Sequence, residues 1–132
     1  MNVVMVNGYV LPNRKYQKNM IENRMEYGFS VAITDYVNCD VISIPALAVG
    51  EMATQVYAKM CDECYVEIVG YISKTKENKI YILVKDIVIK EPKNKTQYYY
   101  TSKEFMQIFK PSNIIKNIVK DSQKGKKDEK DN

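Results

Sequence analysis

Between residues 41 and 72 a strand, a helix and a second strand follow one another with hardly a spacer, VISIPALAVGEMATQVYAKMCDECYVEIVGYI. Ile42, Ile44, Ala46 and Ala48 alternate with Ser43, Pro45 and Leu47, which is the period of two of a strand, and Gly50 ends the run. From Glu51 to Met60 the period lengthens. Met52, Val56 and Met60, with Ala53 beside them, line one face of an amphipathic helix. Alternation returns at 65–72, where Val66 and Ile68 stand opposite Glu67 and Val69. The rest of the chain is the setting of this unit.

The same period marks strands at 3–10, 25–34 and 80–90. Gly8 suits tight coiling or a close backbone approach, and Pro12 and Asn13 stop the first strand. In 14–24 the cations Arg14, Lys15, Lys18 and Arg24 are interleaved with Tyr16, Met20 and Ile21, which predicts a mobile basic loop. It is either a solvated connection or an arm that closes over a nucleic-acid backbone. Tyr36 sits at the tip of a short turn, 35–40, and KTKENK at 74–79 forms a basic hairpin turn. Ile80, Ile82 and Val84 change parity to Ile87 and Ile89, as a bulge requires. Beyond Lys90, residues 91–97 read as a polar linker containing Pro92, followed by Tyr98, Tyr99 and Tyr100. Thr101 and Glu104 have capping-box spacing, which predicts a helix over 102–110 with Phe105, Ile108 and Phe109 on one side, ended by Pro111. Asn113 opens a further turn or two with Ile114, Ile115, Ile118 and Val119 as its apolar side, and the chain from Asp121 on reads as disordered.

A chain of 132 residues, 45% hydrophobic, is long enough for one domain with a real core. Twenty basic against 16 acidic residues give a net charge of +4, which favours a polyanionic partner without demanding one. No apolar run approaches the roughly 20 residues that span a bilayer, so no integral membrane protein is expected. Cys39, Cys61 and Cys64 form no even disulfide framework and no secretory leader opens the chain, so a reducing cytoplasm is expected. Cys61 and Cys64 are spaced C-x-x-C, but the chain has no histidine and only Cys39 to add, short of the four ligands of a zinc site. A redox role lacks its usual context, a helix start after a strand, which leaves small buried cysteines. No nucleophile and base, and no phosphate-cradling glycine loop, stand together. The chain reads as a binder, not an enzyme, with no catalytic residues, no metal and no cofactor.

Residues 44–53, IPALAVGEMA, followed after the helix by 65–70, YVEIVG, resemble the middle of the bacterial single-stranded DNA-binding protein family. NVVMVNGYV at 2–10 is similar to that family's opening strand, FSVAI at 29–33 to its second and VKDIVI at 84–89 to its last. The resemblance covers about the first 90 residues in the right order. It implies an all-β fold: a five-stranded oligonucleotide-binding (OB) Greek-key barrel over 1–90, with the 51–60 helix between strands three and four. A linker and C-terminal helical extension at 91–120 and a disordered charged tail at 121–132 would follow.

The function so implied is low-specificity binding of single-stranded DNA in replication, repair or DNA transfer. Such binding needs cations that track phosphates and flat side chains on which bases stack, at roughly 1–3 kcal/mol per base. The family's stacking positions fall near Ser43, Val49 and Glu77, none of which is aromatic. Tyr9, Tyr27 and Tyr36 are the candidate rings instead, with Arg14, Lys15, Lys18, Arg24, Lys74, Lys76 and Lys79 as phosphate partners, while Phe29 is assigned to the core. The short 35–40 connection and a tail without terminal apolar residues suit a divergent accessory protein of a plasmid, conjugative element or phage. The resemblance implies a dimer or tetramer, and the segment from Tyr98 to Val119 is the candidate protein interface, or else a cover for the barrel's end. Two alternatives stand beside this reading: an OB adaptor for proteins that has lost DNA binding, and a general binder of RNA or duplex DNA.

Overall fold

The computed structural model describes residues 2–103 and 114–121. In chain order the elements are β1 (Val4–Val10), β2 (Lys15–Asn19), β3 (Arg24–Asp35), β4 (Asp40–Val49), α1 (Glu51–Lys59), β5 (Tyr65–Lys74), β6 (Ile80–Lys90) and β7 (Gln97–Thr101). Residues 114–121 are helical and are labelled α2. The alternating stretches pair into one sheet in the order β1-β5-β6-β4-β3, and pairing of Tyr9 with Ala32 and of Val10 with Val31 joins β1 to β3. That closure makes the five-stranded OB barrel expected from sequence. Among the described strands only β4 and β6 are parallel; the other neighbours run antiparallel.

Alternation decides what fills the barrel. Phe29 and Val31 of β3, Ala46 and Ala48 of β4, Val66 and Ile68 of β5, and Ile82, Val84, Ile87 and Ile89 of β6 are buried in one cluster. Met52, Ala53 and Val56 of α1 join it and stop one end. Each such Val, Ile, Phe or Met side chain contributes roughly 1.5–3 kcal/mol by leaving water, and each alanine less. Gly50, at φ 68, reverses the chain between β4 and α1, and its N–H donates to the carbonyl of Met25 at 2.8 Å. At Gly8 an added Cβ would meet the Ala32 carbonyl, so only glycine lets β1 cross β3 this closely. The parity change in β6 is a bulge: Val69 faces Asp86 but Gly70 faces Val84, and Lys85 falls between the two registers.

Four local readings need correction. The stretch 14–24 is not a mobile loop but a hairpin, with Lys15 to Asn19 laddered against Gly28 to Arg24. Its strand, KYQKN, has no apolar alternation to announce it; Tyr16 supplies the anchor, with its ring stacked on that of Tyr57 at 4.2 Å and its hydroxyl 3.0 Å from Thr54 Oγ1. The tyrosine run is strand β7, antiparallel to β6, with Tyr98 and Tyr100 packed on the core and Tyr99 63% exposed. It extends the sheet within the stretch assigned to linker and helical extension. Cys61 and Cys64 are not free thiols: they are disulfide-bonded across the α1–β5 turn, where the C-x-x-C spacing leaves their Cα atoms 5.5 Å apart. Asp121, placed in a disordered tail, closes α2 instead. The helix expected over 102–110 lies outside the described residues from Glu104 on, as does the tail from residue 122.

α2 lies on the outer face of the barrel. Ile115 and Val119 are buried with Leu47, Val49, Tyr81 and Leu83, the outward residues of β4 and β6. A Cβ on Gly28 would collide with Ile114 Cγ2 and Ile118 Cδ1, so the helix is seated directly on β3 backbone. Gly28→Val should therefore cost about 1–3 kcal/mol of stability by overpacking this seam. Thermal or urea unfolding measures it, and an unchanged midpoint would contradict the seating of α2 described here.

Candidate nucleic-acid interface

Because β4 and β6 run parallel, the β3–β4 turn and the β5–β6 turn project from the same end of the barrel. Tyr36 is 89% exposed at the first of them. Asp35 fixes that turn: its carboxylate accepts from the N–H groups of Val37 and Asn38 and from Asn38 Nδ2, at 3.0, 3.4 and 2.9 Å. The same bonds, the Asn38 side chain's foremost, hold the Asp35 carboxyl below its ordinary range. At the second turn Thr75 is buried, its N–H donating to the Lys79 carbonyl at 2.9 Å while its Oγ1 accepts from the Lys79 N–H at 3.2 Å. Lys74 and Lys76 are held out to solvent on this closed turn, and Lys79 is half-buried. Tyr36 and the three lysines Lys74, Lys76 and Lys79 thus lie on the two turns at the same end of the barrel.

The remaining candidates lie elsewhere. β3 runs from Arg24 to Asp35, so the hairpin tip and Tyr36 are separated by the length of that strand, roughly 30 Å. Lys15 and Lys18 are exposed on opposite faces of β2. Arg14 forms an ion pair with Asp62 at 2.9 Å and is only 23% exposed. Arg24 does not reach out to phosphate: its side chain is 7% exposed and lies 3.7 Å from the buried Glu26 carboxylate, a pairing that burial of Glu26 requires. Tyr27 does not present a stacking face either. It is 2% exposed in the core, against Phe29 and Tyr57, because its place in the alternation of β3 puts it on the inward side with Phe29 and Val31. Tyr9 is 58% exposed on the outer face of β1, edge-on to Tyr65 at 5.3 Å, with Lys90 Nζ 5.7 Å from the Tyr65 ring.

The outer face of β3, β4 and β6 is closed. Val49, one of the positions at which the resemblance places a stacking ring, is 1% exposed beside Ile115 and Val119. Ser43 is half-buried, and Glu77 is exposed with its carboxylate 3.8 Å from Lys116 Nζ. Sequence reasoning missed two features here. Tyr57, 53% exposed and stacked on Tyr16, follows the apolar Val56 of α1 and could have been read as an outward ring. Lys116 and Lys120 gave no signal, since nothing in the sequence says that α2 returns to the β5–β6 turn. Among the described residues no cluster of acidic, cysteine or histidine side chains could hold a metal ion, and no helix is long and apolar enough to cross a membrane.

No protein-family model matches the sequence, and no curated protein does. Among solved structures the chain is similar to the SSB domain of a Synechococcus sp. protein, with TM-score 0.57 and 11% identity over 66% of this chain and 93% of that one. It is similar also to the second single-stranded DNA-binding protein of Mycobacterium smegmatis, with TM-score 0.56 and 16% identity over 65% of this chain and 85% of that one. A deletion mutant of the single-stranded DNA-binding protein from Thermus aquaticus matches with TM-score 0.56 and 9% identity, over 85% of this chain and 44% of that one. The barrel is therefore the OB fold in the form that these proteins share.

Burial raises the Tyr27 phenol far above its ordinary range and raises that of Tyr81. Both phenols are neutral when folded, so the stability they carry is complete below the unfolded value of about 10 and is lost as pH rises past it. Urea midpoints should hold from neutral pH to about pH 9 and fall above about pH 10, and Tyr27→Phe should blunt that fall. A midpoint that rises through this window would contradict the burial of Tyr27.

Proposed function

We propose that this chain binds single-stranded DNA with little sequence preference. The observation that carries the reading is the barrel itself, shared with three proteins described as single-stranded DNA-binding. The exposed cations support it. Lys74 and Lys76 stand at the same end of the barrel as Tyr36, and Lys15 and Lys18 line the β2 arm toward the other, so a strand running from one end of the barrel to the other would meet positive charge at both. Lys79 adds to the first group, and Tyr9 offers a further ring beside Ala32 where β1 meets β3. Binding in this arrangement protects or presents the strand without chemistry on it. An accessory role on a plasmid, conjugative element or phage suits the short β3–β4 connection, which leaves each barrel a small footprint.

A second reading is favoured by the closure of the β3–β4–β6 face beneath α2 and by an open groove of about 400 Å³ on the outer surface of β1, β5, β6 and β7. Met5, Val69, Val88 and Tyr99 give that groove a mainly apolar lining, beside Asn7, Glu67 and Asp86, which suits a protein surface, whether a second copy of this chain in a dimer or tetramer or another partner.

Fluorescence anisotropy of a labelled dT oligonucleotide at two salt concentrations, with duplex DNA and single-stranded RNA as competitors, separates the two. The expected result is binding that weakens with salt and that duplex and RNA displace poorly. No binding at low salt would overturn the DNA reading in favour of the protein one. Tyr36→Ala should weaken binding by about 1–3 kcal/mol if its ring stacks on a base; unchanged affinity removes it from the interface.

A further inference from the structure

Where the helical residues 114–121 reach the β5–β6 turn they enclose a cleft of about 290 Å³ with it. Lys79 lines the cleft from the turn, and Lys116 and Lys120 line it from α2. The two helical lysines are four residues apart, hence on one flank of the helix about one turn from each other. Ile115 and Val119, one residue back from each, are buried against Leu47, Val49, Tyr81 and Leu83, so the helix cannot roll and the lysine flank is fixed toward the turn. Lys116 is half-buried and Lys120 exposed. Three lysines thus line one cleft, and among the described residues Glu77 is the one carboxylate that lines it. That carboxylate lies 3.8 Å from Lys116 Nζ and is exposed, so it occupies the place of an anion without being buried with its partner. Glu77 is held below its ordinary range, chiefly by its own backbone N–H, and stays charged at neutral pH.

We propose that Lys79, Lys116 and Lys120 form a phosphodiester-binding subsite for the single strand, with α2 a fixed part of the interface and Glu77 an anion that the incoming phosphates displace. The inference rests on the single-stranded DNA reading above. It gives the closed outer face a role: the helix that removes Val49 from any stacking surface brings in cations in its stead, and the affinity won at this place is electrostatic. Lys74 and Lys76 continue the row along the same turn. The chemistry recognised is the backbone phosphate, so this subsite adds affinity without reading bases.

The test uses the full chain and a labelled dT oligonucleotide, with unfolding midpoints confirming that each variant is folded. Lys116→Gln with Lys120→Gln should lower affinity at low salt about five- to tenfold and flatten the plot of log affinity against log salt by about 1.4, about 0.7 for each phosphate no longer neutralised. Lys93→Gln with Lys95→Gln removes the same charge from the β6–β7 connection, at the other end of β6, and should leave affinity within about twofold. Glu77→Gln should raise affinity about two- to threefold, a gain that a purely structural role for this cluster would not produce. If wild-type protein binds the oligonucleotide while the helical pair and Glu77→Gln leave affinity and salt slope unchanged, the subsite is overturned and the DNA reading stands. If wild-type protein binds nothing at low salt, both are overturned together.

Discussion

Ile114 and Ile118 rest on Gly28, and Ile115 and Val119 rest on the outward side chains of β4 and β6; the reading of the whole surface depends on this one packing seam. A barrel of this kind has its inner face spoken for by core side chains, so what it can bind is decided by which outer faces remain open. Burying four apolar side chains of α2 and four of the sheet removes one such face from water, and each of those side chains contributes on the order of 1.5–3 kcal/mol. A loosely held lid would not need a glycine beneath it. The absence of aromatic residues at Ser43, Val49 and Glu77 follows at least in part: at Val49 a large ring would have no room, because the helix is there.

The barrel was legible in the sequence and the additions to it were not, for a physical reason. Barrel strands are half-buried, so Phe29, Val31, Ala46, Ala48, Val66 and Ile68 had to alternate with other residues, and the bulge had to appear as a change of parity after Val84. β2 carries no such alternation, since its strand is a surface arm held by one ring, Tyr16, and by backbone pairing with β3. β7 was hidden by composition: three consecutive tyrosines show no polar and apolar alternation even though Tyr98 and Tyr100 pack on the core and Tyr99 faces out. Lys116 and Lys120 depend on where a distant helix docks, which local pattern does not encode.

The candidate site was legible in kind but not in membership. Burial sorted the residues. Tyr27 went to the core by its place in the alternation of β3, Arg24 to a buried pairing with Glu26, and Arg14 to Asp62. What stayed exposed is mostly lysine on tight turns and on the arm, with Tyr36 the most exposed of the candidate rings. Lysine on a long flexible stem is a point charge, and an array of such charges recognises a polyanion by number and spacing more than by shape. On the proposed reading such a surface would hold a strand by its phosphates, with affinity set by ionic strength.

The most direct test of this account is amide hydrogen exchange of the full chain with and without a dT oligonucleotide, read at residues 114–121 and at the outward positions of β4 and β6. The account expects α2 to keep or gain protection when the strand binds, together with slowed exchange in the β5–β6 turn, because the helix is part of the interface. Loss of protection in α2 and at Leu47 and Val49 on binding would mean that the helix leaves and the face beneath it is the true site, which would contradict the account.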